Sequence, residues 1–152
     1  MNKGFNIFIF LRVTIGGFFV LVSVDTLMGP FQNFLYVVQA YEIFPDIVEK
    51  GVAFIVPWVE FFLGVFLVIG LWTRNALKGL LVLVTGLIGV VSSAIIRGLP
   101  LDDCGCFGEL FSVSLKGTLL IDIALFVFVG LMLVNLAKTS LLSLDQYYQK
   151  TE

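Results

Sequence analysis

Apolar residues run along the chain in four long stretches, and most of the charged side chains lie between them. A helix needs about 20 mainly apolar residues to cross roughly 30 Å of hydrocarbon. Each stretch reaches that length, so the pattern predicts transmembrane helices at about 5–28, 51–72, 78–97 and 116–137. Arg12 interrupts the first stretch and no small-residue cleavage motif follows it. We therefore expect the first helix to be retained rather than removed as a signal peptide.

The remaining segments are predicted to be loops 29–50 and 98–115 outside the cytoplasm and a cytoplasmic tail, 138–152. Within the first loop, "FQNFLYVVQAYEIF" at 31–44 is too short to span a membrane, but its apolar residues recur at helical spacing. This spacing predicts a short helix at the outer interface, with a packed loop as the alternative.

The composition supports a membrane protein. Hydrophobic residues make up 59% of the 152 residues and charged residues 13%, with 16 Phe and no His. This predicts an all-α integral membrane protein, a four-transmembrane-helix bundle in one membrane domain that contacts lipid. The chain has no basic stretch that would bind nucleic acid. The absence of His and the presence of only two Cys argue against haem, most zinc sites and an iron–sulfur cluster, so we assign no metal.

The distribution of cations predicts the orientation, because Lys and Arg favour cytoplasmic ends. If the N-terminus is cytoplasmic, three cations fall outside, namely Lys50, Arg97 and Lys116. The larger group falls inside: Lys3, Arg12, Arg74, Lys78, Lys138 and Lys150. We therefore expect a multi-pass protein of the cell (inner, or cytoplasmic) membrane with both termini in the cytoplasm.

Four polar residues are predicted to gather near the outer ends of the helices: Asp25, Glu60, Asp122 and Arg97. An ionised group in hydrocarbon costs at least about 2.5–3.5 kcal/mol on insertion scales, so such groups should face the bundle interior or pair. Glu60 and Asp122 are expected about two turns or less from the outer helix ends. One interpretation is a polar pocket for a proton or a quinone head-group. The alternative is that these charges pair only to make burial tolerable and to fix the helix register.

Two further features concern packing. Arg12 lies by itself toward the cytoplasmic side, where we expect it to extend to lipid phosphate. Gly16 and Gly17 in the first helix, and Gly86 and Gly89 in the third, predict close approach between helices.

The segment "PLDDCGCFGEL", 100–110, holds both cysteines, Cys104 and Cys106, on either side of Gly105. A disulfide requires a Cα–Cα distance of about 4.4–6.8 Å, which an extended tripeptide barely allows, and glycine permits the necessary bend. So short a ring is strained, which favours exchange, and it adds little stability. We predict a redox-active pair. The alternatives are capture of a soft metal by two thiolates and an inert structural loop.

Neighbouring residues are expected to support this loop. Pro100 before the cysteines and Gly108, which follows Phe107, predict a tight, preformed loop. Asp103 and its acidic neighbours disfavour a thiolate here, so the site is better suited to attack by an incoming thiolate.

The string D-C-G-C-F-G, together with P-W-x-E in the second helix and "RVTIGGFFVLVS" in the first, resembles the MauE/DoxX-like, redox-associated membrane proteins of methylamine utilisation. The resemblance covers most of the chain. It implies a four-helix bundle distantly like the DsbB and VKOR thiol oxidoreductases, and a thioredoxin-fold partner outside the cytoplasm. It also implies that Cys104 and Cys106 form the redox pair and that Glu60 is the second-helix acid of the family. The chain departs from many relatives by having Asp25 and Thr26 where they have a small residue followed by a lysine.

The function expected from these features is thiol–disulfide exchange that supports disulfide chemistry in exported proteins. A partner thiolate attacks one sulfur of the pair, a mixed disulfide forms, and a free thiol resolves it. Because the chain has no second cysteine pair, a quinone or another thiol protein must complete the cycle. The alternatives are a non-catalytic membrane anchor of a quinone-linked oxidoreductase and a small carrier of soft metals or small molecules.

Overall fold

The structure, a computed structural model, describes residues 3–43, 45–99 and 113–139. All regular structure within these ranges is helical, as predicted. The helices are α1 Lys3–Met28, α2 Phe31–Ala40, α3 Asp46–Ile69, α4 Thr73–Arg97, α5 Leu115–Val134 and α6 Leu136–Thr139.

Within the described ranges, four helices are long and apolar enough to cross a membrane: Ile7–Met28 within α1, and the whole of α3, α4 and α5. The predicted multi-pass membrane protein is confirmed at this level. The predicted bounds differ most for α3, which begins at Asp46 instead of 51 and ends at Ile69 instead of 72.

Local chemistry explains both shifts of α3. Asp46 and Glu49 occupy its first turn, where the helix dipole favours negative charge. At the other end, Gly70 has φ 75° and its N–H donates to the carbonyl of Phe66 at 2.9 Å. Glycine adopts this left-handed conformation without strain, so the helix ends although the apolar run continues to Trp72.

The predicted short helix is present as α2, which ends at Ala40 and lies against α3. None of its residues is buried. Tyr41, which follows it, is buried. The helical alternative is therefore confirmed over the packed loop.

The main helix pairs are α1 with α3 and α4 with α5. At Gly16 and Gly64 the backbones of α1 and α3 approach closely, because a Cβ atom on either would lie 2.9 Å from the carbonyl oxygen of the other. The prediction for Gly16 is thus confirmed. It is wrong for Gly17, Gly86 and Gly89, where no described atom lies within 4 Å of an added Cβ.

Two apolar clusters fill the bundle. We call the end with the α3–α4 turn the turn end, and the opposite end the α2 end. The cluster at the turn end comprises Ile15, Phe19, Leu67, Leu77, Leu80, Val84, Val129 and Met132. The cluster at the α2 end comprises Tyr41, Val91, Ala94 and Leu115.

Arg12 lies at the turn end. The prediction that it extends to lipid phosphate is wrong. Its side chain is 3% exposed, and Nη1 donates a hydrogen bond to the carbonyl oxygen of Thr139 at 3.0 Å. Arg12 therefore links α1 to α6.

Candidate functional site

The predicted redox residues lie outside the described residues: Asp103, Cys104, Gly105, Cys106, Phe107 and Gly108. The same holds for the tail from 140 onward. The described helices flank the cysteine segment on both sides, and they show how each end is held.

On its N-terminal side, the segment follows a helix cap at the end of α4. Gly98 has φ 64°, and its N–H donates to the carbonyl of Ile95 at 3.2 Å. The N–H of Leu99 donates to the carbonyl of Ala94, also at 3.2 Å. Left-handed glycine with these bonds is a common helix C-terminus, so α4 stops at Arg97.

Arg97 joins this helix end to α2. Its Nη1 donates to the carbonyl oxygens of Tyr41 at 2.9 Å and Glu42 at 3.2 Å. Its Nη2 lies 3.5 Å from Oε2 of Glu42. Carbonyls at a helix C-terminus attract a cation, so Arg97 is directed to the end of α2. These contacts differ from the predicted grouping of Arg97 with Glu60 and Asp122.

On its C-terminal side, the segment leads into the N-cap of α5. The Ser114 side-chain oxygen accepts a hydrogen bond from the N–H of Gly117 at 3.4 Å. The Thr118 hydroxyl donates to the Ser114 carbonyl at 3.3 Å. Serine is a preferred N-cap because it satisfies a donor that the first turn leaves over.

Two predicted acids are buried between the apolar clusters. Glu60 is 6% exposed on α3, and Asp122 is 2% exposed on α5. Neither belongs to a cluster, and the negative charge of Asp122 acts on Glu60. The structure therefore brings these two acids near one another in the bundle interior, as the interpretation of a polar interior required.

The depth of Glu60 differs from the prediction. The earlier start of α3 puts Glu60 about 21 Å along the helix from Asp46, at a rise of 1.5 Å per residue. Asp122 lies about 10 Å from Leu115, close to the predicted two turns. Glu60 thus lies beyond the middle of its helix and not two turns from the α2 end.

The other acids occupy different surroundings. Asp25 is half-buried near the end of α1 and does not share the burial of Glu60 and Asp122. Glu49, which the sequence assigned to a loop, is buried in the first turn of α3. Its position three residues after Asp46, behind a proline, was the available signal of a helix start.

A cleft of about 210 Å³ lies where the end of α1, the start of α2 and the first half of α3 meet. Four aromatic side chains line it: Phe31, Phe34, Phe54 and Trp58. Trp58 stacks on Phe62, which is outside the cleft, with ring centroids 6.1 Å apart. The sequence analysis did not identify this cleft, because its walls come from three helices.

The cleft also carries polar groups. Thr26 lines it, and the Thr26 hydroxyl donates to the carbonyl of Val22 at 3.0 Å, which leaves its oxygen as an acceptor. Pro57 and Ala53 line it as well. Since proline has no N–H, the carbonyl oxygen of Ala53 lacks its usual donor within α3. Glu60 follows Pro57 by one turn of the same helix.

The fold and these features define a class: a small membrane protein of four spanning helices with buried acids and a cysteine segment held at both ends. Comparison with known proteins is consistent with that class. Residues 5–136 match the family described as methylamine utilisation protein MauE. The chain belongs to the MauE family. No curated protein and no solved structure matches it.

Proposed function

We propose that this MauE-family protein is a membrane thiol–disulfide oxidoreductase. Its Cys104–Cys106 pair exchanges electrons with a thioredoxin-fold protein outside the cytoplasm and so supports the maturation of exported proteins. All 152 residues form one membrane domain in this proposal.

One observation carries the proposal: the only two cysteines of the chain are separated by one residue, in a segment between two spanning helices. A ring across a single glycine has little value as a staple, since it restricts few conformations of the unfolded chain. A strained disulfide has a raised reduction potential and exchanges readily. Exchange chemistry therefore explains this spacing better than stability does.

The held ends of the segment also favour exchange. Arg97 ties the end of α4 to α2, and Ser114 caps α5. A reactive group is presented reproducibly only when its surroundings are fixed, so these contacts suit a segment that must receive a partner.

The reaction transfers two electrons and two protons. A thiolate of the partner attacks one sulfur of the Cys104–Cys106 disulfide, which forms a mixed disulfide and releases the other sulfur as a thiolate. The second thiol of the partner then attacks the mixed disulfide. The partner leaves oxidised, and Cys104 and Cys106 remain as a dithiol.

Repeated turnover needs an oxidant for this dithiol. The chain has two cysteines in all, so it contains no second pair that could act as a relay. A membrane quinone is the acceptor we propose: the dithiol becomes the disulfide, and the quinone takes up two electrons and two protons to become hydroquinone.

Orientation is part of the proposal. We place the protein in the inner membrane with both termini in the cytoplasm and the α2 end with the cysteine segment outside, because the bias of Lys and Arg favours this orientation. Disulfides persist on that side. A membrane-impermeant maleimide should label Cys104 and Cys106 in intact spheroplasts after mild reduction. Labelling only after lysis would show that the cysteine segment faces the cytoplasm and that the proposed orientation is wrong.

Trapping tests the chemistry. Cys104→Ser and Cys106→Ser each leave one thiol that can attack the disulfide of an oxidised partner, which is the reverse of the last step, and the chain then lacks the second cysteine that would release the partner. We expect either variant, purified from its native membrane after acid quenching, to carry a covalent adduct with an exported thioredoxin-fold protein that reductant removes. The double variant is the control and should carry none. If neither single variant forms an adduct, and the double variant supports full activity of a co-purifying enzyme, the protein is a non-catalytic anchor instead.

A further inference from the structure

We propose that the aromatic cleft between α1, α2 and α3 binds the ring of an isoprenoid quinone. This inference rests on the proposed function, for which it names the site of the electron acceptor. It also moves the expected quinone site from the group of Glu60, Asp122 and Arg97 to a neighbouring place.

The size and position of the cleft suit a ring with an external tail. Its volume is about 210 Å³, below the roughly 300–1,000 Å³ typical of pockets that enclose a whole drug-sized ligand. The cleft is lined by α1 and α3, both of which are long and apolar enough to span a membrane, and by the start of α2. A head-group can therefore enter while its hydrocarbon tail stays among the lipids.

The walls suit a flat ring more than an acyl chain. Phe31, Phe34, Phe54 and Trp58 provide aromatic faces, and flat rings stack on such faces in offset or edge-on arrangements. The stacking of Phe62 on Trp58 backs the indole from outside the cleft, which restricts its rotation. An acyl chain would make apolar contacts here but could not stack on these rings.

Hydrogen-bonding groups give the stronger argument. Ala53, whose carbonyl loses its usual donor because of Pro57, lines the cleft, and so does Thr26, whose hydroxyl oxygen can accept. The Thr26 hydroxyl already donates to the Val22 carbonyl, and Trp58 contributes its indole N–H as a further hydrogen-bond donor. In hydrocarbon, water does not satisfy a carbonyl, so an acceptor left by proline favours a ligand that donates. Hydroquinone hydroxyls donate, and quinone carbonyls accept from an indole.

The buried acid completes the fit. Reduction of a quinone by the dithiol delivers two electrons and requires two protons at the ring oxygens. Glu60 is buried one turn beyond Pro57 on the same helix, with Asp122 acting on it across the bundle. Glu60 does not line the cleft, but its carboxyl group follows Pro57 by one turn of α3 and can hold a proton close to it.

Fluorescence of Trp58 tests binding directly. In the full-length Trp72→Phe variant, Trp58 is the one remaining Trp of two. We expect a ubiquinone with a single isoprene unit to quench its emission saturably in nanodiscs. Ala53→Phe, which fills the cleft, should weaken binding at least tenfold. Val82→Phe, on the exposed face of α4, is the matched control and should change it less than twofold. Absence of saturable quenching, or equal affinities for the two variants, would overturn the site.

Two further measurements cover misfolding and lipid. Thr26→Val keeps the side-chain shape but loses the acceptor, so it should weaken binding of the hydroquinone several-fold more than binding of the quinone. Equal effects on both forms would contradict the hydrogen-bonding argument. If brominated phospholipid quenches Trp58 and the quinone does not protect it, the cleft is a lipid crevice and the proposal is wrong.

Failure of the site and failure of the proposed function give different results. Disulfide transfer from oxidised Cys104–Cys106 to a reduced thioredoxin-fold protein, in a single turnover without quinone, does not involve the cleft. If disulfide transfer proceeds normally but the quinone does not bind, the quinone site is wrong and the proposed function stands. Quinone binding in the cleft without transfer removes the proposed oxidoreductase and leaves a quinone-binding membrane protein.

Discussion

The two ends of the bundle are built differently. At the turn end, Gly16 and Gly64 let α1 and α3 touch along their backbones, and eight apolar residues from four helices form one cluster. At the α2 end the cluster is smaller, and a cleft lies where α1, α2 and α3 meet. Buried acids lie between the two regions. The close packing of the turn end stabilises the bundle, whereas the α2 end keeps open space and polar groups.

The largest effect on stability is expected at the contact between Gly16 and Gly64. Gly64→Ala puts a Cβ atom 2.9 Å from the carbonyl oxygen of Gly16, so the backbones must separate. We expect a loss of about 1–3 kcal/mol in the free energy of unfolding. Gly86→Ala, which meets no described atom within 4 Å, is the control and should give no loss, or a gain of up to about 1 kcal/mol from helix propensity.

Unfolding in mixed detergent micelles, followed by circular dichroism, measures both variants. The comparison between the two ends fails if Gly64→Ala and Gly86→Ala have the same stability, because the turn end would then tolerate expansion as readily as a lipid-facing surface.

The fold was largely predictable because it depends on local signals. Four apolar runs of sufficient length, and the helical spacing within 31–44, identified α1 to α5. The errors arose where a backbone conformation or cap overrode hydrophobicity. Gly70 ends α3 within an apolar run, and Asp46 with Glu49 starts it inside a charged segment.

The site was less predictable because it depends on packing between helices. Sequence identified Glu60 and Asp122 as interior residues, yet the bond from Arg97 to Tyr41 joins positions 56 apart in the chain. The pairing of the helices also decides which glycine contacts another helix. Nothing in the sequence distinguishes Gly16, which does, from Gly17, which does not. The cleft has the same origin.

A middle-sized effect separates the two buried acids of α3. Glu60 is buried beyond the middle of the helix near Asp122, where a second negative charge is unfavourable, so Glu60→Gln, which cannot ionise, should stabilise the bundle by about 1 kcal/mol. It should also slow quinone-linked turnover, because the amide cannot hold a transferable proton. Glu49 lies in the first turn, where the dipole favours a carboxylate, so Glu49→Gln should destabilise by about 0.3–1 kcal/mol.

Thermal unfolding and quinone reduction, measured on the same preparations, decide this prediction. If Glu60→Gln raises the free energy of unfolding and Glu49→Gln lowers it, Glu60 is the acid that destabilises the fold and Glu49 is the acid that stabilises it. If Glu60→Gln loses stability and keeps full turnover, the acid serves the packing of the helices and not the chemistry.

The smallest effect on stability, and the most informative about the α2 end, is expected at Arg97. Its ion pair with Glu42 is half-exposed, so Arg97→Gln should change the free energy of unfolding by less than about 1 kcal/mol. The variant nevertheless loses the bonds that tie the start of the cysteine segment to α2. We expect disulfide transfer to slow several-fold, measured by stopped-flow with a reduced thioredoxin-fold protein. Arg74→Gln, an exposed cation at the turn end, should leave the rate unchanged. Equal slowing in both variants would mean that Arg97 acts through its charge at long range, whereas slowing in Arg97→Gln alone means that the anchored segment, and not the net charge, presents the cysteines to the partner.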